Sequence, residues 1–139
     1  MRQFQKILTV ETNGPGLTEF TANAAEIVVE SGVETGLVHV FCRHTSASLL
    51  IQENADPDVQ RDLLAFFKRL VPDGDALFIH RAEGPDDMPA HVKTALTQTT
   101  LTIPIANGVL MLGTWQGIYL FEHRRRPHTR SVVLHVVGD

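Results

Sequence analysis

Three histidines sit beside groups that could put them to use. His44 opens the run His44-Thr45-Ser46-Ala47-Ser48. His91 closes Glu83-Gly84-Pro85-Asp86-Asp87-Met88-Pro89-Ala90-His91, and His123 lies within Glu122-His123-Arg124. Three imidazoles meeting at one point would hold a divalent ion such as Zn²⁺ and leave a position open for water. Neighbouring carboxylates, here Glu83 and Asp87, would orient such ligands. The sequence has no HExxH or CxxC-type spacing, so any convergence of His44, His91 and His123 must come from the fold.

Each cluster also has a plainer reading. Thr45, Ser46 and Ser48 could form a hydroxyl-rich turn around a half-buried His44. Ser46 lacks the glycine elbow of a serine nucleophile. Asp86 or Asp87 could simply cap a helix, and two adjacent like charges need a cation, a helix N-terminus or arginines to balance them. In Gly113-Thr114-Trp115-Gln116-Gly117 the glycines allow backbone to approach a ligand closely. A β-bulge with Trp115 plugging the core is the commoner arrangement for that residue alone. Arg124, Arg125, Arg126 and Arg130 offer forks that suit phosphate, or else form a solvated turn. Strand alternation would put Glu122 and Arg124 on one face and His123 on the other. His39, inside an apolar strand, reads as a core residue, and His135 as structural. His80, ending a strand, fits either role.

The elements that must position these groups follow from periodicity and turn chemistry. Gln3 to Thr12 favours a strand, broken by Asn13-Gly14-Pro15-Gly16. A helix follows, capped by Thr18 or Thr21, with Phe20, Ala24, Ile27 and Val28 on one face and Gly32 at its left-handed C-terminus. Leu37 to Arg43 reads as a strand apolar on both faces, and Ala47 to Gln52 as the next. Asp56-Pro57 starts a helix with the stripe Val59, Leu63, Phe66, Phe67 and Leu70, stopped by Pro72-Asp73-Gly74. Ala76 to His80 is expected as a short strand, and a third helix near Pro89. Thr99 to Ile105 and Val109 to Thr114 flank the hairpin signal Asn107-Gly108. Gly117 to His123 and Arg130 to Val137 complete the set, joined by a turn from Arg124 to Thr129. Seven or eight strands, the last four consecutive, with three interspersed helices predict an α+β fold built on mainly antiparallel sheet.

Composition agrees with one globular domain spanning 1–139. The chain has 139 residues, is 43% hydrophobic and 20% charged, and has no repeat or low-complexity segment. A net charge of −4 argues against a general nucleic-acid binder. Cys42 is the one cysteine, so no internal disulfide forms and a reducing, cytoplasmic setting is expected. No apolar run approaches the roughly 18 residues of a membrane span. The N-terminus has no h-region of a signal peptide.

Taken in order, these clusters resemble the YjbQ-like family, also known as the secondary thiamine-phosphate synthase family. The matching stretches are His44 to Leu49, Glu53-Asn54-Ala55-Asp56-Pro57-Asp58-Val59, Glu83 to His91, Leu112 to Tyr119 and Glu122-His123-Arg124. They are long, specific and span nearly the whole chain. The resemblance implies a compact α+β domain assembled as a homotrimer, with a polar pocket near the subunit interface where histidines can hold a metal. It also implies weak thiamine-phosphate synthase activity, which joins hydroxymethylpyrimidine diphosphate to thiazole phosphate and expels diphosphate. On that reading His44, His91 and His123 hold a divalent metal, Zn²⁺ or Mg²⁺, with Glu83 and Asp87 orienting them or a bound water. Thr45, Ser46, Thr114 and Arg124 receive phosphate oxygens, Gln116 orients the substrate and Trp115 stacks on or walls it. The competing expectation is a non-catalytic trimer that binds a phosphorylated or anionic metabolite in the same pocket.

Overall fold

A computed structural model describes residues 1–139. The chain runs β1 (Arg2–Asn13), β2 (Gly16–Glu19), α1 (Thr21–Ser31), β3 (Thr35–Cys42), β4 (Ala47–Glu53), α2 (Pro57–Leu70), α3 (Asp87–Leu96), β5 (Thr100–Ala106), β6 (Val109–Leu110), β7 (Gln116–Glu122) and β8 (Pro127–Gly138). Five strands form one sheet in the order β1-β8-β3-β5-β6, and three form another in the order β2-β7-β4. Every pairing is antiparallel, so the α+β class read from the sequence holds.

Period-two alternation decides which face of each strand is covered. In the large sheet Val10, Val38, Val40, Leu101, Ile103, Ile105, Val132, Leu134 and Val136 point inward and are buried. Ala47, Leu49, Ile118 and Leu120 of the small sheet join the same core, as do Ala24, Ile27 and Val28 of α1. The other face of the small sheet is covered by helices. Phe67 of α2 meets Phe121 of β7 edge to face at 5.3 Å, and Gln60 donates to the Tyr119 hydroxyl at 3.3 Å. The outward face of the large sheet stays open, with Ile7 54% and Phe41 50% exposed. No helix is long and apolar enough to cross a membrane.

Local signals placed α1 and α2 closely. Gly32 closes α1 at φ 72°, its N–H on the Val29 carbonyl. Asp56 caps α2 by accepting the Asp58 N–H at 2.9 Å, with Pro57 opening the helix. Neither threonine caps α1, however. Thr18 lies in the unforeseen strand β2, and the Thr21 hydroxyl donates to Glu19 and accepts the Ile118 N–H, tying α1 to β7.

Among the remaining differences, those in the strands share a cause: a strand needs a partner. Ala76 to His80 is not a strand. Asp75 instead folds it into a turn, accepting the Leu77 N–H, while the Arg81 guanidinium holds the Phe78 and Ala76 carbonyls. Leu77 and Ile79 are left 88% and 93% exposed. The hairpin return shortens to Val109–Leu110, and β8 starts early, at Pro127, because β1 extends to meet it. His39 faces solvent beside His135, and β3 is apolar on one covered face only. Phe66 and Leu70 of α2 are half exposed. α3 starts at Asp87, two residues before Pro89.

Gly36 marks the tightest point of the large sheet. A Cβ there would sit 2.1 Å from the Val137 carbonyl oxygen and 2.8 Å from the Gly138 Cα, both backbone atoms in the paired strand. Only glycine fits without moving β8. Gly36→Ala is expected to lower stability by at least ~1–3 kcal/mol, the usual cost of overpacking, read as a drop in the urea midpoint. An unchanged midpoint would show that the β3–β8 register yields freely.

Candidate functional site

The start of α3 is held by a buried arginine rather than by its own caps. Asp86 occupies the N-cap position, yet its side chain makes no capping bond. Its Oδ2 accepts from Arg124 Nε at 3.1 Å and from the Arg125 N–H at 2.9 Å. Arg124 Nη1 donates to Asp87 Oδ1 at 2.7 Å, and Nη2 to the Glu83 carbonyl at 3.0 Å. Asp86, Asp87 and Arg124 are all buried. Burial alone would raise both carboxyls. For Asp86 the Arg125 amide and Arg124 outweigh it, and for Asp87 His80, His91 and Arg124 do, so both titrate below the ordinary range.

With Oδ1 fixed by Arg124, Asp87 presents Oδ2 to two histidines. His80 Nε2 lies 2.8 Å away and His91 Nε2 3.2 Å away. The three ligand atoms of His80, Asp87 and His91 lie within 4.8 Å of one another, the one such cluster in the chain. His91 Nδ1 is 2.8 Å from the Thr45 carbonyl oxygen. A carbonyl can only accept, so Nδ1 carries the proton and Nε2 of the neutral ring is bare. That lone pair then faces the Asp87 carboxylate, an arrangement that needs a second proton or a cation. Two imidazoles and a carboxylate, one imidazole tied back to a carbonyl, fit a divalent transition metal. Asp87 is almost wholly buried while His80 keeps 48% of its side chain exposed, so the cluster opens to solvent on one side.

A second buried pair lies behind it. Glu122, at the end of β7, receives Arg130 Nε at 2.7 Å, a further bond from Arg130 Nη2, and the Thr12 hydroxyl at 2.6 Å. It also accepts the N–H groups of His123 and Arg124 at 3.0 and 3.1 Å, which fixes the turn that aims Arg124 at α3. Burial would raise the Glu122 carboxyl, but Arg130, Thr12 and the Arg124 amide hold it below its ordinary value. Arg130 Nη2 also donates to the Ser46 hydroxyl at 3.0 Å.

The other residues singled out from sequence are dispersed around these networks. His44 Nε2 accepts the Ser131 N–H at 2.8 Å, and burial with nearby Arg130 lowers its pKa. His123 shares a 2.9 Å hydrogen bond with Ser48 on the helix-covered face. Burial, reinforced by Lys93, pushes its pKa down to about 3. Of the three histidines first considered together, the fold sets only His91 in a ligand cluster, and its companion is His80. Glu83 is exposed, its Oε2 3.8 Å from Arg124. Thr45 contributes its backbone, and Arg124 spends its fork on the loop. Trp115 does not plug the core, being 62% exposed. Thr114 is exposed beside it, and Gln116 Oε1 accepts the Gly113 N–H at 2.7 Å, closing that loop on itself. Glu122, His123 and Arg124 are all buried, because β7 is covered on both faces and the turn after it stays inside.

The sequence profile of the UPF0047 protein YjbQ-like family matches residues 6–139. The chain belongs to this family. A UPF0047 protein of Synechocystis sp. is 56% identical over 138 residues, covering 99% of this chain and 94% of that protein. The UPF0047 protein YjbQ of Escherichia coli O157:H7 is 39% identical, covering 98% of this chain and 99% of its own. The fold is that of a YjbQ/UPF0047 crystal structure from Clostridium acetobutylicum, with a TM-score of 0.83 and 37% identity over 96% of this chain and 99% of that one.

Within this YjbQ-like chain two residues were not assigned to a site from the sequence: His80 of the cluster, and Lys93 further along α3. His80 read as a strand-end histidine fit for either role, because its bond to Asp87 runs across a loop with no regular spacing. Lys93 drew no sequence reading, yet it is 9% exposed, and burial lowers its pKa against the opposing pull of Asp73 and Asp86.

The Glu122–Arg130 pair gives a signed prediction. Glu122 has a depressed folded pKa, so its stabilisation is complete above the ordinary value of 4.5 and is lost as pH falls through the lowered one. Arg130→Met leaves a buried carboxylate unpaired and is expected to cost roughly 3–5 kcal/mol at pH 7. Urea unfolding at pH 7 and at acid pH should show that difference shrink as Glu122 protonates. An equal loss at both would show that the pair is not what Arg130 holds.

Proposed function

We propose that His80, Asp87 and His91 form a divalent-metal site serving chemistry on a small phosphorylated metabolite. The observation carrying this reading is the approach of three ligand atoms within 4.8 Å, with one imidazole already oriented by a backbone carbonyl. A divalent cation held there would supply Lewis acidity toward a phosphate or diphosphate group. Arg124 keeps the Asp87 carboxylate turned toward the histidines, and Thr45 keeps His91 in the tautomer that a metal ligand requires. Exposed Glu83 and the half-exposed His80 stand where a substrate would enter. The specific reaction in this reading is that of the resemblance: thiamine-phosphate synthase, with loss of diphosphate, in a homotrimer.

Purified protein should take up about one Zn²⁺ per chain, measured by elemental mass spectrometry. His80→Ala and His91→Ala should each weaken uptake by at least ~100-fold, the upper range for a lost ligand or its support. His44→Ala and His123→Ala should keep it. Loss in those two instead would move the site to the three histidines first considered from the sequence. Turnover of hydroxymethylpyrimidine diphosphate with thiazole phosphate, abolished in metal-free His91→Ala, would support the transferase reading. Tight binding of either compound with negligible turnover under any metal would favour a binding module. That reading draws on the saturation of Arg124, which leaves no guanidinium fork facing a leaving group.

A further inference from the structure

A second cavity, of about 510 Å³, lies between α2 and the helix-covered face of the small sheet. It shares no lining residue with the His80–Asp87–His91 cluster. Its apolar walls come from Leu64, Ala65, Phe67 and Phe121, the last two being the edge-to-face ring pair. The volume falls in the range of small-molecule sites.

The polar lining has an excess of positive charge. Asp73 is taken by Arg125, whose Nε donates to it at 3.0 Å. Glu122 is taken by Arg130, Thr12 and two backbone amides. Lys68 makes no ion pair, and neither does Lys93. Lys93 is the telling residue: it is nine-tenths buried and lines the cavity, yet its ammonium makes no hydrogen bond or ion pair in the chain, and Asp73 and Asp86 act on it only from a distance. An ammonium on a largely buried side chain, solvated only at the cavity and without a bonded counter-charge, gains from an anion that completes it. His123 adds a ring nitrogen, Nδ1, that no protein group engages, since Nε2 goes to Ser48.

We propose that this cavity binds an organic anion with a flat apolar body, its phosphate or carboxylate on Lys93 and its ring against Phe67 and Phe121. The anion supplies the direct ion pair that Lys93 lacks, and the ring fills a space walled by aromatic edges. Lys68 stands at the exposed mouth and draws the anion in.

Calorimetric titration of the full chain in EDTA, with phenyl phosphate and with benzoate, tests this apart from any metal site. At least one anion should bind saturably, one per chain, and at least tenfold more tightly than neutral benzyl alcohol. Tighter phenyl phosphate assigns a phosphate ester, and tighter benzoate a carboxylate. Lys93→Met keeps the length and volume of the side chain without its charge. It should lose at least tenfold in affinity while its melting temperature is unchanged or higher, so the loss is not unfolding. Unchanged affinity in Lys93→Met, or no saturable binding of either anion, would overturn the proposal. Failure of zinc uptake would leave it untouched.

Discussion

The Arg124 guanidinium is the contact on which the site depends. It leaves the end of β7 and reaches Asp86, Asp87 and the Glu83 carbonyl in a loop some forty residues earlier. Two adjacent buried carboxylates would repel each other and the low-dielectric interior. The guanidinium answers both problems with bonds in fixed directions. Its cost is desolvation, so such a cluster adds little net stability. What it contributes here is orientation: with one Asp87 oxygen held, the other can only face His80 and His91.

The same logic operates two residues earlier in the chain. Glu122 ends β7 by accepting the next two backbone N–H groups, so the turn after the strand has one shape. Arg130 of β8 and Thr12 of β1 hold that carboxylate from the large sheet. The two sheets are thus joined by an apolar core on one side and by a chain of buried charges on the other. The candidate metal ligands stand at the outer end of that chain, where side-chain exposure rises from 2% at Asp87 to 48% at His80. This gradient from locked interior to open rim is what a site needs when ligands must be rigid and substrate must enter.

Much of the scaffold was legible because it is local. Gly32 and Asp56-Pro57 carry their structural meaning within a few residues, whereas the one-sided covering of β3 was not read from its apolar run. The family motifs likewise led to Asp87, His91 and Arg124. What the sequence did not disclose depends on distance. Ala76 to His80 has the composition of a strand but pairs with none, and Asp75 turns it aside. His80 acquires a role only when that turn brings it back over α3. His44 and His123 resemble His91 in their surroundings along the chain, yet one accepts a strand amide and the other pairs with Ser48 under the helices. Trp115, expected from the sequence as a core plug, lies outside instead, on a loop closed by Gln116.

The most direct test of the central claim is anomalous diffraction at the zinc edge from a crystal grown with Zn²⁺. The account predicts one strong peak per chain, in contact with His80 Nε2, Asp87 Oδ2 and His91 Nε2, with Arg124 still on the other Asp87 oxygen. A peak on His44 or His123 with none between His80 and His91 would contradict it.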